Sequence, residues 1–239
     1  RSGKGAVITF DPRVGLAERR SIAGVFAVGV PSAVATFLFD LDYVVLDRLM
    51  VSYHDLALAA IGIVLKVERF PLNVGVGICQ GMMPLVGYNY SAGDRDRLRR
   101  TMRLSLASGL VTAALSILLY ELLATPLISL FLDDAQTVAL ASSFLRVRVL
   151  ATPLMFMSFF TVFLFQALGK GNISLLLGVV RWLGFNIPML YILNAAAGMY
   201  GLVWSQVAAD SLTVILSLAV YLKARPAMLR GGRLRESRG

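Results

Sequence analysis

The feature that most constrains this chain is a series of long segments without Asp, Glu, Lys or Arg. Such segments occupy residues 21–39, 70–93, 104–120, 149–169 and 182–209. A helix rises 1.5 Å per residue, so about 20 apolar residues cross the ~30 Å hydrocarbon core of a bilayer. The segments are continuously apolar and lack the alternation of barrel strands, which favours transmembrane helices. The segment 182–209 is long enough for two spans, and Asn194 and Gly198 interrupt it.

These segments predict an all-α integral membrane protein with a six-transmembrane-helix bundle. The spans are expected at about 22–50, 56–88, 102–124, 139–168, 173–194 and 200–223. We divide the chain into an interfacial linker at 1–20, the bundle at 21–223 and a basic tail at 224–239. The second span is long for one crossing, so we expect it to tilt or to kink near Pro71 or Pro84. Because the chain begins at Arg1 without a secretory signal, we expect a fragment or a processed protein.

The distribution of basic residues predicts the orientation. Most of the 23 Lys and Arg residues lie in 1–20, 89–103, 169–172 and the tail. The loops on the other side, 51–55, 131–138 and 195–199, contain none. Cytoplasmic loops carry the excess of Lys and Arg. We therefore expect a multi-pass protein of the cell's inner or plasma membrane, with both termini on the cytoplasmic side. The net charge of +9 then reflects contacts with anionic lipid rather than with nucleic acid.

Ionisable residues inside the predicted spans are the first site candidates, because burying a charge in a bilayer is costly. They are Asp40, Asp42, Lys66, Glu68, Arg69, Arg146, Arg148, Arg181 and Asp210. Depths counted from the hairpin tips near 53 and 197 predict the ion pairs Asp40–Lys66 and Arg181–Asp210. One interpretation is that these pairs serve only to hold neighbouring helices together. Alternatively, one carboxylate among Asp40, Asp42 and Glu68 loads and releases a proton or cation. We expect Arg146 and Arg148 to reach outward along their aliphatic stems.

Uncharged polar residues and phenylalanines also occur in the spans. Gln80, Gln166 and Asn186 belong to a set that could line a cavity together with Phe156, Phe159, Phe160, Phe163 and Phe165. Such a cavity would suit amphipathic cations, although the same residues also serve as interhelical contacts and lipid-facing filler. His54 is the single His, and no phosphate-binding loop is complete. We therefore expect no enzyme, no metal site and no cofactor beyond a coupling ion, either a proton or sodium.

A family resemblance adds to this interpretation. Residues 75–93 contain Gln80, Pro84, Gly87, Tyr88, Asn89, Tyr90 and Ala92 before a basic loop. This pattern resembles the second span in the C-terminal half of the multidrug and toxic compound extrusion (MATE) family. Residues 166–171, Arg181 with Ile187-Pro188, and the stretch from Gly198 to Asp210 resemble the end of the fourth span, the fifth span and the start of the sixth. The resemblance covers about 15–225.

The resemblance implies a twelve-helix antiporter of two six-helix bundles, of which this chain is the C-terminal one. Such a transporter exports amphipathic cationic molecules in exchange for protons or sodium by alternating access. The missing N-terminal half would be its partner. Some members bind sodium through acids in the first and fourth spans of this half. Here the fourth span offers Arg146 and Arg148 and no acid, so the resemblance favours protons.

Two alternatives remain open at this stage. A lipid-linked oligosaccharide flippase shares the architecture, and Arg69 and Arg181 would suit its pyrophosphate substrates. A membrane scaffold that transports nothing predicts that every buried charge is paired and that no cavity exists.

Overall fold

The computed structural model describes residues 19–230, and all of its regular elements are helices. Residues 1–18 of the predicted linker (1–20) and residues 231–239 of the predicted tail (224–239) lie outside this range. The helices are α1 (Arg19–Val51), α2 (Asp55–Ser91), α3 (Arg95–Ile128), α4 (Ala135–Val149), α5 (Thr152–Ala167), α6 (Gly171–Val179), a π-helical segment (Val180–Asn186) and α7 (Ile187–Arg230). The predicted six-helix bundle is confirmed, with the fourth and fifth spans each built from more than one helical piece.

Short polar turns separate the first four helices, and side-chain caps fix where three of them begin. Nδ1 of His54 accepts a hydrogen bond from the Ala57 amide at 2.9 Å, and Oδ1 of Asp94 accepts one from the Arg97 amide at 3.0 Å. Oδ2 of Asp134 accepts hydrogen bonds from both the amide and the hydroxyl of one threonine in the first turn of α4. Each cap satisfies backbone donors that the first turn leaves free.

The fourth predicted span is broken in the middle. α4 and α5 are inclined by 46° to each other at Leu150 and Ala151. Pro153 lies in the first turn of α5, where its missing amide hydrogen is tolerated. The apolar pattern predicts one continuous helix over residues 139–168, and the proline explains the difference. By contrast, α2 runs through both Pro71 and Pro84 without interruption.

The last two predicted spans form a hairpin whose turn lies within α7. Gly198 has φ 59° and ψ −139°, a conformation that residues with a Cβ rarely adopt. Gly201 lies directly behind this turn, and a Cβ there would sit 1.9 Å from the carbonyl oxygen of Leu193. The two glycines therefore allow a tight reversal at the predicted hairpin tip.

Length and apolar composition alone support only part of the predicted topology. Within the described residues, α3 and the helical run Gly171–Ala224 are long and apolar enough to cross a membrane, and the bent pair α4–α5 counts as a third span. The run Gly171–Ala224 contains two predicted spans, because the chain reverses at Gly198. α1 and α2 do not meet this criterion, so their assignment as spans rests on the fold.

Two apolar clusters form the core. The first contains Leu46, Met50, Ile61, Val64, Phe144, Leu145 and Leu202, and the second contains Cys79, Met82, Val86, Phe156, Phe160, Leu164 and Phe165. Along α2, Glu68 lies between the parts of the helix that contribute to each cluster. Asp210 takes the same intermediate position along α7. Buried charges therefore occupy a layer between two apolar layers.

Candidate functional site

The best-defined contact in this layer joins α2 to α4. Nε and Nη2 of Arg148 each donate a hydrogen bond of 2.7 Å to one carboxylate oxygen of Glu68. The Arg148 side chain is 2% exposed and that of Glu68 is 11% exposed. A bidentate arginine–carboxylate pair is strong and directional. The expectation that Arg148 reaches outward is wrong, because the last turn of α4 directs it towards α2.

A second ion pair joins the π-helical segment to α7. Nη2 of Arg181 lies 2.8 Å from Oδ1 of Asp210, and both side chains are almost fully buried. The ion pair predicted from the hairpin depths is therefore present. The amide of Gln206 donates a hydrogen bond to the other carboxylate oxygen of Asp210. The guanidinium of Arg181 also packs 4.4 Å from the ring of Phe159 and 4.5 Å from that of Trp182.

Arg181 has a hydrogen-bond donor that no described residue uses. Its Nη2 is paired with Oδ1 of Asp210 at 2.8 Å. Nε of Arg181 has no hydrogen-bond partner among the described residues. A buried donor without a partner is costly. Such an atom is available to a ligand or water that enters beside it.

Asp42 on α1 is the third acid of the layer. Its side chain is 4% exposed, and its Oδ1 has no hydrogen-bond partner in the described part of the chain. Arg148, Arg181, Asp210 and Glu68 lie within its electrostatic range. Three carboxylates thus face two guanidinium groups. If all five were ionised, the layer would carry a net charge of −1, and Asp42 would be the acid without a partner of its own.

The predicted pair Asp40–Lys66 is not formed. Asp40 instead lies 4.0 Å from Arg69, and both side chains are more than half exposed. The guanidinium of Arg69 stands 5.9 Å from the ring of Phe39 and 5.3 Å from that of Tyr43. Lys66 is exposed. Counting residues from a hairpin tip locates a side chain only to within about one helical turn. The rings of Phe39 and Tyr43 favour Arg69, one turn beyond Lys66, as the partner of Asp40.

A cavity of about 360 Å³ opens between α1, α2, α5, α6 and the π-helical segment. Its wall includes the amides Asn73, Gln80 and Gln166 and the aromatic rings of Phe39, Phe159, Phe163 and Trp182. Arg181 also lines it, so this residue touches both the cavity and the charged layer. The combination of aromatic walls and a few amides is typical of small-molecule sites.

Some predicted cavity residues lie elsewhere. Phe160 and Phe165 are buried in the second apolar cluster. Phe156 belongs to the same cluster, where its ring fills the space beside Gly109. Asn186 is 1% exposed and is not among the residues that line the cavity. Among residues 19–230, no group of three or more His, Cys, Asp or Glu side chains is arranged to hold a metal ion.

Sequence reasoning missed Trp182, Phe39 and the inward direction of Arg148. Trp182 directly follows Arg181, and in an α-helix neighbouring side chains point about 100° apart. The π-helical turn changes this relation, and the two side chains contact each other as a cation–π pair. A sequence pattern carries no clear signal for such a turn, although π-helical turns often occur at functional sites.

The fold and the site define a helical membrane protein with a mainly aromatic cavity beside a buried charged layer. The MatE family model matches residues 31–192. The chain therefore belongs to the multidrug and toxic compound extrusion (MATE) family, as its motifs indicated.

Curated relatives carry related names. The chain is 26% identical over 220 residues to the multidrug export protein MepA of Staphylococcus saprophyticus, covering 92% of this chain and 48% of the relative. It is 25% identical over 217 residues to MepA of Staphylococcus aureus, covering 90% of this chain and 48% of that protein. The chain thus spans about half the length of the curated relatives that it matches.

Solved structures share the fold. The Vibrio cholerae MATE transporter VcmN in the bent form superposes with a TM-score of 0.81 at 20% identity, over 90% of this chain and 49% of that one. An outward-facing MATE transporter of the MOP superfamily gives a TM-score of 0.81 at 18% identity, over 93% of this chain and 49% of that one. The matched region is again one half of the transporter.

Proposed function

We propose that this chain is the C-terminal half of a secondary active exporter that moves multidrug-like or metabolite molecules by proton antiport. The family assignment, the half-length match and the order of the motifs support this proposal. The complementary N-terminal six-helix half would be its partner. The positive charge on one side of the bundle supports a multi-pass protein of the cell membrane with both termini in the cytoplasm.

Exposed charges on α1 and α2 support the need for a second half. Asp40, Lys66 and Arg69 lie in predicted spans, yet all three are exposed on the surface of the chain. Charged groups rarely face lipid, because hydrocarbon cannot solvate them. They fit a surface that faces an aqueous cleft between two bundles, which is where alternating-access transporters place their substrates.

The observation that carries the proposed mechanism is the contact of Arg181 with both the charged layer and the cavity. When Asp210 is ionised, it holds the Arg181 guanidinium towards α7. Proton uptake by Asp42 would raise the net charge around Arg181 by one unit. Proton uptake by Asp210 would do the same and would also weaken that hold. The cavity would then gain positive charge, which disfavours a bound cation and promotes its release. Proton entry and substrate exit are thereby coupled through one side chain.

The surroundings of Asp42 favour a proton over sodium as the coupling ion. Sodium prefers several oxygen ligands. Asp42 instead lies within electrostatic range of the guanidinium groups of Arg148 and Arg181, which repel a cation. The fourth span adds Arg148 at this level and no carboxylate. A proton needs only one carboxylate oxygen, and Oδ1 of Asp42 has no hydrogen-bond partner among residues 19–230.

The cavity suits amphipathic aromatic compounds. Phe159, Phe163 and Trp182 offer ring faces, and Gln80 and Gln166 offer hydrogen bonds. Cations are attracted to such ring faces. Arg181, the one arginine that lines the wall within residues 19–230, is compensated by its acid partner Asp210. We propose no catalytic step for this site.

The alternatives fit the site less well. A flippase for pyrophosphate-linked substrates calls for a strongly cationic cavity, whereas one paired arginine lines this one. A scaffold calls for fully paired buried charges and no cavity, whereas Oδ1 of Asp42 is unpaired within the described residues and the cavity measures about 360 Å³.

The test is transport by proteoliposomes that contain the transporter assembled from this chain and its N-terminal half. We expect an imposed proton gradient to drive movement of an amphipathic fluorescent cation such as ethidium. A sodium gradient of equal size should not drive it. Transport driven only by sodium would refute proton coupling. If neither gradient moves any substrate of this class, the proposal of an antiporter fails.

A further inference from the structure

A second cleft lies apart from the cavity, between α3, α5 and the second half of α7. Its volume is about 170 Å³, and its walls are mainly apolar. Met102, Leu106, Met157, Phe160, Val214 and Leu218 form most of the surface. An engineered apolar cavity of ~150 Å³ binds benzene, so this cleft can take a hydrocarbon group of that size.

Four polar side chains accompany the apolar walls, and one of them, Thr161, already donates its hydroxyl hydrogen bond to the carbonyl of Met157. Ser217 is 3% exposed, and its Oγ has no hydrogen-bond partner among the described residues. Arg103 is exposed at the rim, and Tyr221 adds a phenol hydroxyl. No carboxylate in the described part of the chain forms an ion pair with Arg103. The cleft therefore combines a hydrocarbon-sized space with an unpaired cation and an unpaired buried hydroxyl.

The cleft lies towards the basic side of the bundle. Arg103 follows the start of α3 at Arg95 by about two helical turns. The first turns of α3 also carry Arg99 and Arg100, and the positive end of the helix dipole lies there. By the distribution of Lys and Arg, this side faces the cytoplasm. The cytoplasmic leaflet carries anionic lipids, which basic residues next to the membrane attract.

We propose that this cleft binds an anionic phospholipid of the cytoplasmic leaflet. Part of one acyl chain occupies the apolar cleft between α3, α5 and α7. The phosphate lies at Arg103, whose long stem allows the guanidinium to reach the headgroup level, and the Tyr221 hydroxyl donates to the same group. The Ser217 hydroxyl donates to a carbonyl of the lipid ester.

An amphipathic cation is a poorer occupant of this cleft. Its positive group would face Arg103, which no described carboxylate compensates. The cleft shares no lining residue with the aromatic cavity that contains Arg181. The lipid site thus stands on its own observations and does not depend on the transport proposal.

Lipid binding to the purified protein in detergent, followed by native mass spectrometry, tests this site. The probes are phosphatidylglycerol and, as the zwitterionic comparison, phosphatidylcholine. We expect phosphatidylglycerol to bind more tightly. Arg103→Gln should weaken its binding about fivefold, since one basic residue near an anionic surface contributes about that factor. Arg103→Lys should retain most of the affinity.

The matched control is Arg95→Gln, which removes the same charge from the same helix but does not line the cleft. It should change phosphatidylglycerol binding less than twofold. Equal losses in Arg95→Gln and Arg103→Gln would mean diffuse attraction to the surface and would overturn the site.

A second variant tests the acyl chain. Ser217→Phe fills the cleft and should weaken the binding of both lipids, while Ser217→Ala keeps the space and should weaken it less. Unchanged affinity in a folded Ser217→Phe protein would refute an acyl chain in this cleft. If that protein does not fold, Val214→Phe narrows the same cleft and gives the same comparison.

Discussion

Breaking the buried Glu68–Arg148 pair should cost much more stability than breaking an exposed charge contact of the bundle. Glu68→Ala leaves the Arg148 guanidinium with 2% exposure and without the two 2.7 Å hydrogen bonds that it now donates. Removing one partner of a buried pair typically costs about 3–5 kcal/mol, because the remaining charge is neither solvated nor paired. We expect Glu68→Ala to lie in this range.

Replacing both Glu68 and Arg148 should destabilise the protein much less than replacing Glu68 alone. The double variant Glu68→Met/Arg148→Met removes one negative and one positive charge, so the remaining acids Asp42 and Asp210 still face Arg181. Apolar replacement of a whole buried pair is often neutral or stabilising. The double variant should therefore be more stable than Glu68→Ala.

The assay is reversible unfolding of the purified protein in mixed micelles, read as the free energy of unfolding. Glu121→Ala is the matched control. Oε2 of Glu121 on α3 lies 4.0 Å from Nε of Arg146 on α4, and both side chains are about half exposed. Such a pair contributes about 0–1 kcal/mol. If Glu68→Ala costs no more than Glu121→Ala, the reasoning about the charged layer is refuted.

Two further predictions concern the turns. Gly201→Ala should lower the yield of folded protein and destabilise it by about 3 kcal/mol or more, because the new Cβ would overlap the Leu193 carbonyl. Gly77 has open space around it, so Gly77→Ala should behave as wild type in the same unfolding assay. Asp134→Ala should destabilise the start of α4. The hydrogen bonds from Thr137 hold the pKa of the Asp134 carboxyl below its ordinary value, so its stabilising contribution is present above the unfolded-state pKa and is lost as the pH falls through the folded-state pKa. Unfolding measured between pH 7 and pH 2 should show this loss in wild type and not in Asp134→Asn, and identical pH profiles would contradict it.

The general architecture could be predicted from the sequence because a bilayer leaves few choices. Long apolar segments must form helices there, and the positions of basic loops fix their direction. The hairpin at Gly198 was also predictable, since polar and small residues interrupt the longest apolar run. The pair Arg181–Asp210 followed from their similar distance to that tip.

Side-chain direction within a helix was harder to predict. Depth from a hairpin tip gives the level of a residue but not its rotation about the helix axis. Asp40 therefore meets Arg69 instead of Lys66, and Arg148 meets Glu68 instead of the outer surface. The bend between α4 and α5 and the π-helical turn both change rotation locally, and no periodic pattern in the sequence reveals their size.

The central claim is that Asp42 couples proton movement to export. Asp42 is the acid of the charged layer whose Oδ1 has no hydrogen-bond partner among residues 19–230. The most direct measurement is substrate-driven proton flux in proteoliposomes of the assembled transporter, comparing wild type with Asp42→Asn and Asp40→Asn. Asp40 is on the same helix but is exposed, which makes it the matched control. The account predicts that Asp42→Asn abolishes proton flux while the protein still inserts and binds substrate, and that Asp40→Asn retains it. Undiminished proton flux in Asp42→Asn would contradict the account and would place coupling outside this charged layer.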